Sequence, residues 1–291
     1  MATVVERAPE RERSAVRRVV RGVDGWVSLT VVVLVVGIAV AGPWLAPHSP
    51  TALLGSPFQQ AGSQYLLGTD YIGEDLFSRL LCGGRTVIAF GFIATALAYL
   101  VGGAIGLFAG FRRGAPDSIL MRCMDVLLAF PPIIFLLMLG AGFGNSLTAL
   151  VLGIATVHVP SVARIVRTAA LETSVRGFVE AAMARGDSTF AILRREVLPN
   201  IFGTVVADAG PRFTVSVLLV AAVNFLGLGI APPQADWALM ISENRPGITV
   251  NAWSVVAPAL MIGILTVALN VFADSVARAL GTSADIEAMR R

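Results

Sequence analysis

Five long stretches of the chain contain no Asp, Glu or Arg residue, and together they cover 160 of its 291 residues. An α-helix needs about 20 mostly apolar residues to cross the hydrocarbon core of a bilayer. The chain has only 14% charged residues, too few to cover the surface of a soluble protein of this size. The stretches therefore predict an all-α membrane protein and exclude a water-soluble enzyme. They run over 25–69, 86–111, 126–163, 213–235 and 246–273.

These stretches predict six transmembrane helices, because one of them is long enough for two. The stretch 126–163 is divided by a glycine-rich turn at 140–146. Pro131-Pro132 either begins the third span or breaks it. The predicted spans are 25–46, 86–111, 126–142, 147–163, 213–235 and 246–273.

The first apolar run has an alternative interpretation as a cleaved signal peptide. Its apolar core is short, and Ala39-Val40-Ala41 resembles a small-residue cleavage site. Pro43 directly after it and the long arginine-rich leader favour a retained span instead. Five further spans follow in either case.

Arginine placement predicts the orientation, since positive residues accumulate on the cytoplasmic side. With the N-terminus inside, 19 arginines lie in inner segments, and only Arg79, Arg85 and Arg245 lie outside. A multi-pass protein of the plasma membrane with both termini in the cytoplasm is therefore predicted, with Cys82 outside and Cys123 inside. The predicted organisation is an arginine-rich segment at 1–24, a first helix at 25–46, an extracytoplasmic loop at 47–85, a five-helix core at 86–275 and a cytoplasmic tail at 276–291.

Residues that carry catalysis or bind metals are scarce. All 22 basic residues are arginines, so the chain has no Walker A lysine and no lysine general base. The two histidines and two cysteines lack metal-ligand spacing, so we expect no catalytic residue, metal or cofactor in this chain. His158, near the predicted inner end of the fourth span, is either a polar relay or a hydrogen-bonding group near a helix end. The predicted spans contain no other ionisable group.

Glycines recur every four residues on the second predicted span, at Gly102, Gly106 and Gly110. Such a stripe lets two helix backbones approach closely within a membrane. Helix packing is the favoured interpretation, and a role in lining a pore is the alternative.

The longest inner segment predicts a helical hairpin at about 176–200. A first helix at 178–185 ends at Gly186, and a second helix runs to Leu198, where Pro199-Asn200 ends it. The alternative is a plain surface hairpin between two spans. N-cap oxygens for the second helix come from Asp187, Ser188 and Thr189, and one face of the first helix carries Val179, Ala182 and Met183.

The hairpin motif is Glu180-Ala181-Ala182, then Gly186 after three residues, then Leu198-Pro199 after eleven more. It resembles the EAA loop of ABC-importer permease subunits. Over about 65–275, further segments in the same order resemble the dipeptide/oligopeptide/nickel transport permeases. They are 67–75 with 78–80, Asp117 with Met121, Arg122, Asp125 and Pro131, and 225–229 with Pro232, Pro233 and Trp237.

This resemblance implies a type I ABC-importer permease fold with a cytoplasmic EAA coupling hairpin at 178–199. The chain would form half of a translocation pathway, completed by a second homologous permease subunit. Two ATP-binding subunits, which carry ATP and Mg, and an extracytoplasmic substrate-binding protein would be its other partners; no nucleic acid is expected. The ATPase-coupling residues implied are Glu180, Ala181, Ala182, Gly186, Asp187, Leu198 and Pro199, and Glu180 is expected to fix the orientation of the hairpin by an ion pair or a cap.

The resemblance also implies a substrate class, and this chain departs from the family pattern at three places. Di- or oligopeptides are expected, with nickel chelates, haem or another small solute as alternatives. Glu74 stands where the family usually has Arg, Glu196 where the peptide branch has His, and Leu280-Gly281-Thr282 where an Asp-Pro is usual. An ion-coupled secondary transporter is a remote alternative that would need buried carboxylates and inverted repeats. An intramembrane enzyme would need a nucleophile and a base on facing helices.

Overall fold

A computed structural model describes residues 22–288 apart from Asn145. Residues 1–21 of the predicted leader and 289–291 of the predicted tail lie outside this range. The helices in it are α1 (Val23–Leu45), α2 (Leu76–Cys82), α3 (Gly84–Arg112), α4 (Ala115–Leu128), α5 (Pro132–Phe143), α6 (Leu147–Ser174), α7 (Gly177–Ala184), α8 (Thr189–Ile192), α9 (Leu198–Phe225), α10 (Trp237–Asn244) and α11 (Trp253–Ala288). A π-helical turn, Leu193–Val197, joins α8 to α9, and a 3₁₀ turn, Arg245–Gly247, follows α10.

Five helical segments in the described range are long and apolar enough to cross a membrane. A sixth crossing is made if the bent pair α4–α5 counts as one span. The prediction of an all-α protein with six spans is confirmed on that count. The five segments are Val23–Leu45, Leu76–Arg112, Leu147–Ser174, Thr189–Phe225 and Trp253–Ala279.

The third predicted span is interrupted beside the proline pair Pro131-Pro132. Helix α5 starts at Pro132, and its axis is bent by 79° from that of α4. Because α5 has only 12 residues, it is about 18 Å long. This is too short to cross the hydrocarbon alone. Of the two interpretations of Pro131-Pro132, the break is therefore the one observed, and the predicted limits 126–142 are wrong.

The predicted limits of three other spans are also wrong. Helix α6 continues past 163 to Ser174, α9 occupies 198–225 rather than 213–235, and α11 begins at Trp253 rather than at 246. Pro199 does not end a helix, because it lies in the first turn of α9, where a missing N–H costs no hydrogen bond. Asp208 and Arg212 lie inside α9 and form an ion pair there, so a search for charge-free stretches cuts this span short.

The glycine stripe of α3 packs directly on α6. A Cβ added at Gly102, Gly106 or Gly110 would lie 2.7, 2.4 and 2.6 Å, respectively, from a backbone carbonyl oxygen of α6. All three glycines are buried. The two backbones therefore approach so closely at these positions that only glycine fits.

Candidate functional site

The hairpin at 177–197 is built from local signals. Helix α7 ends at Ala184, and Gly186 follows with a φ of +80°, a conformation that favours glycine. The backbone N–H of Gly186 donates to Met183 O, and that of Asp187 donates to Ala182 O, which closes the end of α7. The Ser188 side chain then accepts from the N–H of Ala191 and caps α8. The turn is thus fixed by backbone and capping bonds that the local sequence encodes.

One side of the hairpin is buried against the long helices of the protein. Val179 and Ala182 of α7 are fully buried, as are Ile192 and Val197 of the following segment. They belong to a buried apolar cluster that includes Val166 of α6 and other residues of α3, α4, α6 and α9. Because packed interiors resist compression, a force on the hairpin is transmitted to these helices.

The outward side of the hairpin carries exposed apolar residues. Met183 was predicted to face the same way as Val179 and Ala182, but it is 46% exposed whereas those two are buried, so that prediction is wrong. Met183 lies one residue, or about 100°, beyond Ala182, which turns it away from the core. The exposed apolar residues of this side are Phe178, Met183 and Phe190, and Leu198 and Phe202 at the start of α9 are exposed as well.

Charged residues on the hairpin form a small exposed network centred on Arg185. Its Nη2 lies 2.9 Å from Asp187 Oδ2 and 3.8 Å from Glu196 Oε1. Glu196, which departs from the family pattern, thus bridges the two arms of the hairpin. Such exposed pairs contribute about 0–1 kcal/mol each. Glu180 is exposed in the first turn of α7 and, within the described chain, forms neither an ion pair nor a helix cap.

The remaining predicted coupling residues divide between the two faces. Ala182 is buried, whereas Ala181, Gly186, Asp187, Leu198 and Pro199 are exposed. Six of the seven predicted residues, Glu180 included, are therefore exposed: four lie on the hairpin, and Leu198 and Pro199 lie in the first turn of α9. A protein partner could reach all six.

At the opposite end of the molecule lies a buried ionic cluster. Arg79, only 1% exposed, contacts Glu74 and lies 3.3 Å from Asp70 Oδ2 and 3.3 Å from Glu243 Oε2. Burial raises the pKa of Asp70 and of Glu243, although the nearby Arg79 guanidinium opposes this effect. Three carboxyl groups share one guanidinium, whose single positive charge cannot balance three negative charges. The cluster therefore favours the protonated form of one of its carboxyl groups. These residues were recognised in the sequence only as part of a family segment.

Further contacts join residues 53–79 to 236–254, a region called the outer cap here because it contains most of the loop predicted to be extracytoplasmic. The N–H of Tyr71 donates to Asn244 Oδ1 at 2.9 Å, and the Tyr71 hydroxyl lies 3.2 Å from Glu243 Oε1. Asn251 Nδ2 donates to backbone carbonyls of Gln59 and Leu67. Segments more than 160 residues apart are thereby joined.

Asp236 caps α10 within this region and leads to a pH prediction. Its Oδ1 accepts from the N–H groups of Ala238 and Leu239, and burial raises its pKa to about 6. Because the pKa of Asp236 is higher in the folded protein than in the unfolded chain, where it is about 3.9, the protonated carboxyl stabilises the fold. This stabilisation is complete below about pH 3.9 and is lost as the pH rises through 6. This change corresponds to roughly 3 kcal/mol.

We therefore expect the apparent Tm of the detergent-purified protein to fall between about pH 4 and pH 7. Asp236→Asn keeps the capping oxygen and removes the titration, so it should reduce that fall and raise the Tm at neutral pH. An unchanged slope in a scanning-fluorescence measurement would contradict this account of Asp236.

The structure contradicts the prediction that His158 lies near a helix end. It lies in the middle of α6 because that helix runs on to Ser174, and it is 4% exposed. No polar atom in the described chain hydrogen bonds to its Nε2. Within the described residues, no group of three or more His, Cys, Asp or Glu side chains has the arrangement of a metal site.

The chain matches a known family and several curated proteins. The family described as "Binding-protein-dependent transport system inner membrane component" matches residues 102–284. The di/tripeptide transport system permease protein DppC of Pseudomonas aeruginosa is 34% identical over 87% of this chain and 86% of its own length. The dipeptide transport system permease protein DppC of Haemophilus influenzae is 31% identical over 87% and 88%. The glutathione transport system permease protein GsiD of Pectobacterium atrosepticum is 32% identical over 86% and 83%.

Solved structures share the fold at lower identity. A chain of the MetNI methionine ABC transporter in an inward-facing conformation superposes with a TM-score of 0.57 at 19% identity. The match covers 69% of this chain and 96% of that chain. A chain of an amino acid ABC transporter gives a TM-score of 0.53, also at 19% identity. These matches confirm the predicted permease fold of ABC importers.

Proposed function

Because the chain belongs to the family of binding-protein-dependent transport system inner membrane components, we propose that it forms half of the translocation pathway of an ATP-driven importer of di- or oligopeptides. Membership in this family makes it a multi-pass membrane permease subunit and not an enzyme. The peptide substrate is supported by relatives that are 31–34% identical over most of the chain and are named for dipeptides, tripeptides or glutathione.

The 177–197 hairpin is the proposed coupling element. One observation carries this assignment: the hairpin is open on one side and packed on the other. Its exposed side, with Met183, Phe190 and Gly186, is available to an ATP-binding subunit. Its buried side holds α6 and α9 through Val179 and Val197. Closure of the ATPases would move the hairpin and thereby reorient the spans, as alternating access requires.

The proposed assembly has five components besides the lipid bilayer. They are this permease, a second homologous permease, two ATP-binding subunits that carry ATP and Mg, and an extracytoplasmic binding protein. The hairpin faces the cytoplasm, where ATP is present, and the outer cap faces the binding protein. This orientation is supported by the excess of arginines in the inner segments.

Reconstitution of the complete complex tests the function. Proteoliposomes that hold both permeases and both ATPases should accumulate labelled dipeptide only with ATP and the loaded binding protein. The purified permease alone should not hydrolyse ATP. Uptake by the solitary chain, driven by an ion gradient, would refute an ATP-driven mechanism. Uptake of nickel chelates or haem in place of peptide would refute the substrate class alone.

The orientation leads to a labelling prediction. In intact cells, a membrane-impermeant thiol reagent is expected to leave Cys123 unmodified, although its side chain is exposed in the fold. Cys82 is partly exposed and lies on the outer side, so any labelling should map to it. Mass spectrometry of tryptic peptides distinguishes the two sites. Modification of Cys123 without permeabilisation would reverse the orientation.

A further inference from the structure

An ion pair lies inside α9, just before the stretch 213–235 that the sequence predicts as the fifth span. Arg212 Nε lies 3.0 Å from Asp208 Oδ2, and the Tyr99 hydroxyl of α3 donates to the same oxygen at 2.5 Å. Helix α9 has 28 residues, so it is about 42 Å long. Arg212 is near its midpoint. A hydrocarbon layer about 30 Å thick and centred on α9 would therefore contain both residues of the pair.

The pair is not enclosed by the fold. The side chains of Arg212 and Asp208 are 22% and 18% exposed, respectively. They border an exposed stripe of α9 that contains Pro211, Val215 and Leu218. Hydrocarbon does not solvate charged groups, so the open side of such a pair faces water or protein. The part of this stripe next to Asp208 and Arg212 is therefore unsuited to contact lipid.

An unsatisfied histidine lies close by. Only 4% of the surface of His158 of α6 is exposed. Within the described residues its Nε2 has no hydrogen-bond partner. The charges of Arg212 and Asp208 both act on its imidazole ring. A buried polar atom without a partner is unfavourable unless a ligand or water satisfies it. Helices α6 and α9 thus bring an imidazole nitrogen, a cation and an anion into one region, which the Tyr99 hydroxyl of α3 also reaches.

We propose that Asp208, Arg212 and His158 form a substrate-contact site in the water-filled pathway, which takes the charged ends of a zwitterionic peptide. Arg212 binds the carboxylate, Asp208 binds the ammonium group, and the pair closes on itself when the site is empty. His158 Nε2 hydrogen bonds to the peptide main chain. This inference rests on the proposed import of peptides and adds to it a specificity site within the permease.

The first test measures access of water and leaves the ion pair intact. In the complete complex without native cysteines (Cys82→Ser, Cys123→Ser), Val215→Cys reports on the α9 stripe. Val215 is 45% exposed and lies seven residues, or two helical turns, from Asp208. Leu100→Cys is the control, since Leu100 is 70% exposed, follows Tyr99 directly and lies on an apolar stripe of α3.

We expect an impermeant methanethiosulfonate reagent to modify Val215→Cys at least roughly tenfold faster than Leu100→Cys, because thiolates form in water and not in hydrocarbon. Equal and slow modification of both would overturn the pathway assignment. Val215→Cys could instead form a cross-link to the partner permease and so be protected from the reagent. That result would also overturn the pathway assignment, because the stripe would then be a subunit interface.

The second test asks whether the charges recognise peptide ends. Each peptide is presented on a saturating, preloaded binding protein, in a free form and in a form with acetylated and amidated ends. We expect the wild-type complex to import the free form roughly tenfold faster, as one charge-assisted hydrogen bond would give. The double variant Asp208→Asn/Arg212→Gln keeps neutral hydrogen-bonding groups and should lose this preference.

The outcomes separate the inference from the proposed function. A double variant with the wild-type preference shows that the pair is only structural and overturns the site. So does a wild-type complex without any preference. A wild-type complex that imports no peptide refutes the proposed substrate instead, and the labelling of Val215→Cys still reports whether α9 lines the pathway.

Discussion

Gly186→Arg is expected to abolish transport and to reduce the amount of ATPase that co-purifies with the permease, while membrane insertion stays intact. Gly186 has a φ of +80°, so any side chain adds about 1–2 kcal/mol of local strain. No atom lies within 4 Å of the added Cβ in this chain, so the arginine itself fits the fold. The large effect comes from its bulk between the hairpin and the bound ATPase.

Two variants distinguish the effect of side-chain bulk at position 186 from the effect of backbone strain. Gly186→Ala carries the same backbone strain without the long side chain, so it should retain most ATPase binding. Gly144→Arg places the same side chain at another open glycine, with a φ of +63°, in the turn at the opposite end of α6. It should leave ATPase binding normal. Transport at the wild-type rate by Gly186→Arg would show that this hairpin is not the ATPase dock.

Gly106→Leu is expected to prevent accumulation of folded protein. Its Cβ would lie 2.4 Å from the carbonyl oxygen of Ala163, and backbone cannot yield as a flexible side chain can. Ordinary overpacking costs about 1–3 kcal/mol. Separation of α3 from α6 should cost more, because the whole glycine stripe loses its contact. Yield after membrane extraction and monodispersity on size exclusion measure the effect.

Gly103→Leu is the matched control for this substitution. Gly103 lies on the same helix, and a Cβ there meets no atom within 4 Å. Leucine also has a better helix propensity than glycine, so Gly103→Leu should be neutral or slightly stabilising. Equal yields of the two leucine variants would mean that α3 and α6 do not pack as described.

Much of the fold was predictable because hydrocarbon imposes a simple rule on sequence. Unpaired charge is excluded from spans, so the charge-free stretches located six crossings. The same rule failed at α9, where Asp208 and Arg212 neutralise each other and extend the helix beyond the stretch. A count of charges does not reveal whether two of them are partners. The predicted start of this span, at 213, is therefore too late in the sequence.

The two ends of the molecule differ in how far they could be predicted. The hairpin depends on neighbours in sequence, with Gly186 and Ser188 acting within a few residues, so its turn was readable. The outer cap depends on Arg79 meeting Glu243, a contact between distant segments that no local pattern specifies. His158 was misplaced for a related reason, because the true length of α6 decides its depth.

The contact between Arg79 and Glu243 also constrains the biosynthesis of the chain. The two residues are 164 positions apart, so Arg79 leaves the ribosome long before its partner. At 5–20 residues per second, the delay is roughly 10–30 s. During this interval Arg79 has Asp70 and Glu74 within its own segment, so its charge is already compensated. The cap closes only when Glu243 arrives, which makes completion of the outer surface one of the last events in the maturation of this protein.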